Sequence, residues 1–129
     1  AETAVALIGK GVDIVCGGGG KTGEGAVIAA VEIGALAIGY DSDQFFTLPE
    51  AQKGLLSSTV KVVTPSVFEL IQASQADEFP GGNRIGKVTY APYHKLSGQV
   101  SDEIKAKMAE ISQALSDGSL LTNVPATKP

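Results

Sequence analysis

Residues 12–41 read VDIVCGGGGKTGEGAVIAAVEIGALAIGYD, and this stretch decides the fold. Residues 12–16 are apolar except for Asp13, a run of the right length for a short buried strand. Glycines 17–20 interrupt it. Lys21-Thr22-Gly23-Glu24-Gly25 then leads into a segment, from about Thr22 to Ile33, that is apolar almost all round at helical spacing. Such a helix is expected to be largely buried. Gly34 stops it, Ala35-Leu36-Ala37-Ile38-Gly39-Tyr40 reads as a second buried strand, and Asp41-Ser42-Asp43 closes that strand. Strand, helix and strand in such short steps predict a right-handed βαβ unit and a parallel sheet.

Working outward toward the N-terminus, residues 2–9 carry the pattern of an amphipathic helix ended by Gly9 and Gly11. The sequence opens inside that pattern, so the expectation is one lobe of a larger chain with an N-terminal portion preceding it. Toward the C-terminus, residues 55–63 are rich in β-branched side chains and predict a third strand. Thr64-Pro65 has the form of an N-cap followed by proline at the first helical position. The helix beyond carries Val67, Phe68 and Ile71 on one face. Residues 77–83 read as a turn and residues 84–90 as a fourth extended segment. In the last helix Ser101 is the expected cap, Asp102 and Glu103 favour the positive end, and Ile104, Met108, Ile111 and Leu115 mark one face until Gly118. The expected architecture is an α/β three-layer sandwich around a mainly parallel sheet, a lobe over residues 1–119, with a C-terminal tail over 120–129.

Composition narrows the function. With 129 residues, 43% hydrophobic and 19% charged, the chain can build one apolar core. A net charge of −4 and dispersed charges speak against a nucleic-acid surface, which needs a basic face. The single cysteine, Cys16, reads as a small buried hydrophobe within its apolar run. One cysteine and one histidine, His94, make a poor zinc set, so no metal and no cofactor are expected. His94, in Ala91-Pro92-Tyr93-His94, reads as structural. No stretch is long and apolar enough to cross a bilayer.

In parallel sheets ligands bind beyond the carboxyl ends of the strands. Three candidates fall there. The glycine loop lets backbone N–H groups approach a ligand, with Gly20 at the helix end. Asp41 can accept from two neighbouring hydroxyls of a sugar. Lys61, near the end of the third strand, adds donors and positive charge. Together they suit a polyhydroxylated ligand. Plainer roles stand beside each: a structural glycine turn, a capping aspartate, a surface lysine. Asp43 better fits the capping role. Gly20-Lys21-Thr22 also invites comparison with a phosphate-binding loop of a nucleotide-handling enzyme, but Val15 occupies the place of that motif's first glycine.

Several motifs, in order, resemble the basic membrane protein family of substrate-binding lipoproteins. They are Leu7-Ile8-Gly9-Lys10-Gly11-Val12-Asp13-Ile14-Val15, Gly19-Gly20-Lys21-Thr22-Gly23-Glu24-Gly25, Ala37-Ile38-Gly39-Tyr40-Asp41-Ser42-Asp43-Gln44, Ser57-Ser58-Thr59-Val60-Lys61, Ala91-Pro92-Tyr93-His94 and Val100-Ser101-Asp102-Glu103-Ile104-Lys105. The resemblance implies a non-enzymatic component of an ABC importer with a type I periplasmic-binding fold. It further implies a purine nucleoside ligand, an N-terminal lobe and an ABC permease as partners, and an extracytoplasmic, periplasmic or lipid-anchored location. In that setting Asp41 and Lys61 would hold the ribose hydroxyls and Gly20 would contact the ligand through its backbone. The family loop usually runs Ala-Gly-Gly-Thr-Gly, whereas here the extra glycines and Lys21 lengthen it, and Tyr40 replaces a small aliphatic residue.

Overall fold

The structure, a computed structural model, describes residues 1–82, 84 and 86–124. Asn83 of the expected turn, Ile85 of the fourth extended segment and residues 125–129 of the tail, with both its prolines, lie outside the described residues. The order is α1 (Glu2–Ile8), β1 (Ile14–Cys16), α2 (Lys21–Glu32), β2 (Leu36–Asp41), α3 (Gln44–Thr47), β3 (Leu55–Val62), α4 (Val63–Gln75), β4 (Lys87–Tyr90) and α5 (Asp102–Asp117). Two 3₁₀ turns, Pro49–Ala51 and His94–Gln99, fall between α3 and β3 and between β4 and α5. The sheet is four-stranded in the order β1-β2-β3-β4. β1 pairs with β2 and β2 with β3, both in parallel. The class is α/β with a mostly parallel sheet.

The chain divides into two compact units, one of residues 1–60 and 90–102, the other of residues 61–89 and 103–129. In the first unit α2 supplies most of the core. Val27 and Val31 join Ala37 of β2, Leu55 of β3, and Leu48 and Ala51 of the connection between them. On another side of the same helix, Ala30 meets Ala4 of α1 and Val15 of β1. Only Lys21, Thr22 and Glu32 of α2 are exposed, so the all-round apolar pattern is explained. Burying each branched side chain contributes about 1.5–3 kcal/mol.

The first strand departs from expectation. It covers Ile14–Cys16 only, and Val15 alone is buried. Cys16 is exposed, not buried as its apolar run suggested. The reason is the two-residue period of a strand at the sheet edge: Val15 faces the helices, so Ile14 and Cys16 share the opposite face.

In the second unit α4 and α5 keep the expected apolar stripes, but neither helix contains a buried residue. Val67, Phe68 and Ile71 of α4 are all more than half exposed. Glu69 of α4 pairs with Arg84. The helix also starts earlier than Thr64-Pro65 predicted. Val62 is the N-cap, and Thr64 and Pro65 lie inside the first turn. The first four N–H groups of a helix have no intrahelical acceptor, so proline costs no hydrogen bond there. Gly118, φ 79°, follows α5 as expected.

Candidate functional site

The glycine loop, residues 17–20, joins β1 directly to α2. Its base is tight and its tip is open. Gly17 N–H donates to Ile38 O at 3.0 Å, which ties the loop to β2. A Cβ on Gly17 would strike the Val27 side chain, and one on Gly23 would strike the Gly17 backbone. The helix start and the loop start therefore touch backbone to backbone, a distance only glycines permit. At the tip, a Cβ on Gly18, Gly19 or Gly20 would meet nothing within 4 Å. Gly19 and Gly20 have φ of 114° and 58°. The tip thus exposes main chain at the start of a 12-residue helix, where partial positive charge gathers.

Lys21 does not lean over that tip. Its Nζ lies 2.7 Å from Glu24 Oε2 of its own helix, and the neighbouring carboxylate raises the lysine pKa. Val15, at the position of a phosphate loop's first glycine, is a buried strand residue. Both observations weaken the nucleotide-enzyme comparison. Lys21→Ala is expected to leave the thermal midpoint and ligand binding unchanged, as measured by calorimetry. Loss of binding would restore a phosphate-loop role.

Asp41 is the last residue of β2 and is exposed. Its φ is 70°, and Ser42 N–H donates to Tyr40 O at 2.9 Å across it. That is a three-residue turn of the γ type with a left-handed centre, a rare and strained arrangement. Aspartate is one of the few residues that tolerate it. Strain of this kind concentrates at functional sites. Gly20 and Asp41 both belong to the carboxyl edge of the parallel pair β1 and β2 within the first unit. Asp41 registers with Val60 of β3, and Lys61 is the next residue of that strand. Lys61 belongs to the second unit, where it lines an open apolar groove of about 360 Å³ with Val62, Val63, Val67, Leu70 and Val88.

Beyond Asp41 lies a cluster that spacing could not reveal. Asp43 caps α3, accepting from Phe45 N–H at 3.2 Å through Oδ1. Its Oδ2 lies 2.8 Å from His94 Nε2, 51 positions away in sequence. One carboxylate thus makes both the capping contact expected of Asp43 and a contact with His94. The imidazole stacks on Phe45, centroids 4.0 Å apart and planes 15° apart. Gln44, the next residue, is buried, its N–H donating to Ser58 Oγ at 3.1 Å. Gly39 makes room for it, because a Cβ there would lie 2.7 Å from Gln44 Oε1. Among the described residues no group of three or more His, Cys, Asp or Glu is placed to hold a metal ion. No described helix is long and apolar enough to cross a membrane.

Comparison with known proteins adds a family. The profile of the Bmp family, described as ABC transporter substrate-binding protein PnrA-like, matches residues 1–87. Among curated proteins none matches the sequence at a significant level. Two solved structures are similar. A transcriptional activator of the comK gene from Bacillus halodurans superposes with TM-score 0.75 at 22% identity, over 95% of this chain and 43% of that one. An ABC transporter solute-binding protein from Conexibacter woesei superposes with TM-score 0.63 at 19% identity, over 97% of this chain and 41% of that one. At such identities the likeness concerns the fold, and this chain spans less than half of either protein.

Proposed function

The chain belongs to the family of PnrA-like ABC transporter substrate-binding proteins, and from that premise we propose that it forms part of an importer's solute-binding component that takes a purine nucleoside between two lobes. Residues 1–119 form the C-terminal lobe in this reading and residues 120–129 its tail. Family membership supports substrate binding, a small-molecule ligand, a transporter partner and an extracytoplasmic location; lipid anchoring and the nucleoside are the proposal's own. One observation carries the assignment of the site: a strained, exposed aspartate at the carboxyl edge of the sheet, on the same edge as an open glycine loop. An ionised carboxylate in that position accepts from both ribose hydroxyls. Gly20 would offer main-chain N–H to the ligand and Lys61 would donate to the sugar. The missing enclosure would come from an N-terminal lobe, and release to an ABC permease would follow reopening. No covalent step is needed.

Calorimetry with adenosine, guanosine and inosine tests the reading, with the free bases as controls. Nucleosides should bind and free bases should not, because the proposed contacts are to ribose. Equal affinity for base and nucleoside would refute the sites. The isolated 129-residue chain should bind at least about tenfold more weakly than the two-lobed protein, since half the enclosing contacts are lost. Equal affinity would sink the two-lobe proposal.

A further inference from the structure

We propose that His94 is a positioning residue for the ligand site: by holding Asp43 and stacking on Phe45, it fixes the strained turn that presents Asp41. This inference rests on the reading of Asp41 as a ligand residue. The geometry is a closed triangle within the first unit. Asp43 has both carboxylate oxygens engaged, Oδ1 by Phe45 N–H and Oδ2 by His94 Nε2. The imidazole covers Phe45 with its face and meets Phe46 edge-on, centroids 5.3 Å apart. The segment leading into the 3₁₀ turn that carries His94 is itself tethered to β3. Ala91 N–H donates to Ser58 O at 2.8 Å, and Ser57 Oγ donates to Ala91 O at 2.6 Å. A second tie runs from Lys95 Nζ to Gln52 Oε1 at 3.0 Å, and from Gln52 Nε2 to Phe45 O at 2.8 Å.

Positive φ occurs at one corner of this triangle, His94, and at Asp41, two residues before another corner, Asp43. His94 has φ 42° and Asp41 has φ 70°. Neither conformation is favoured alone, and the carboxylate of Asp43, two residues after Asp41, contacts His94 directly. Only Ser42 separates Asp41 from Asp43. When Asp43 is held by its two partners, the turn has little freedom. When His94 lets go, Oδ2 loses its partner and the turn can relax toward the ordinary extended backbone. The imported contact is therefore a long-range one that sets a local conformation.

Two substitutions separate backbone from side chain. His94→Asn keeps tolerance for a left-handed φ, but its amide ends where ring Nδ1 stood and cannot reach Asp43. His94→Gln places an amide N–H where Nε2 stood. In the two-lobed protein, adenosine, guanosine or inosine affinity should fall about tenfold in His94→Asn and recover to within about threefold in His94→Gln. Amide exchange without ligand should quicken at Ser42 and Phe45 in His94→Asn only, with Val27 and Val31 of the core unchanged. Unchanged exchange at Ser42 and Phe45 overturns the proposal. So does quickened exchange with unaltered nucleoside affinity, and in that case Asp41 keeps its role if Asp41→Ala still lowers affinity roughly a hundredfold. Should the wild-type protein bind none of the three nucleosides, the ligand reading fails and the positioning role falls with it, whatever the exchange shows.

Discussion

Replacing Asp41 with alanine is expected to cost about 3 kcal/mol of nucleoside affinity, roughly a hundredfold in Kd, in the two-lobed protein. Hydrogen bonds to a charged group contribute about 1.5–3 kcal/mol each, and an ionised carboxylate lying across a ribose accepts two. Alanine removes both acceptors and also leaves a left-handed φ of 70° to a residue that resists it. Two further variants divide these causes. Asp41→Asn retains tolerance for the turn but exchanges one acceptor for a donor and loses the charge, so affinity should drop while the thermal midpoint holds. Asp41→Gly relieves the strain, so the midpoint should hold or rise while binding is lost. A stabilised, non-binding glycine variant would identify strain kept for function. Calorimetric titration with adenosine and a thermal melt measure both quantities. Undiminished affinity in Asp41→Ala would remove Asp41 from the site.

Periodicity made the βαβ unit legible, because α2 is apolar all round and its burial follows directly from that pattern. It also put the glycine loop between the first strand and its helix, and Asp41 at the close of the second strand, since strand ends are read from where the apolar runs stop. Other features were hidden for physical reasons. The exposure of Cys16 depends on which face of a three-residue edge strand meets the helices, and a run of apolar residues does not record a face. Pro65 misplaced a helix start because proline is equally at home anywhere among the first unpaired N–H groups. The stripes on α4 and α5 were read correctly as stripes, yet burial is decided by what lies opposite, and neither helix holds a fully buried residue, with Met108 and Ile111 only half-buried. The Asp43–His94 contact spans 51 positions, beyond any local pattern. Lys61 follows Val60, the residue that registers with Asp41. It also lines an apolar groove that no spacing argument anticipated.

Gly23→Ala and Gly25→Ala, two positions apart on one helix, should move stability in opposite directions. In a helix interior, glycine is worse than alanine by about 0.5–1 kcal/mol, because it loses more backbone freedom on folding. At Gly25 a Cβ meets nothing within 4 Å, so Gly25→Ala should gain that amount. At Gly23 the Cβ would strike Gly17 O and lie 2.8 Å from the carbonyl carbons of Gly17 and Gly18. Those are main-chain atoms and cannot rotate away, so either α2 or the loop must shift. Gly17 is held to Ile38 of β2, and Val27 and Ala30 hold α2 in the core. Overpacking of this kind costs about 1–3 kcal/mol or more and exceeds the helix gain, leaving a net loss near 2 kcal/mol. The thermal midpoint should fall by roughly 5–10 °C in Gly23→Ala and rise by a few degrees in Gly25→Ala. The loop tip is the softest of the structures that could yield, because nothing packs against Gly18, Gly19 or Gly20. Relief of the clash should therefore displace Gly20, and nucleoside affinity should drop further than the stability loss alone would produce. Equal shifts of one sign in the two variants would mean that the helix start does not rest on the loop as described.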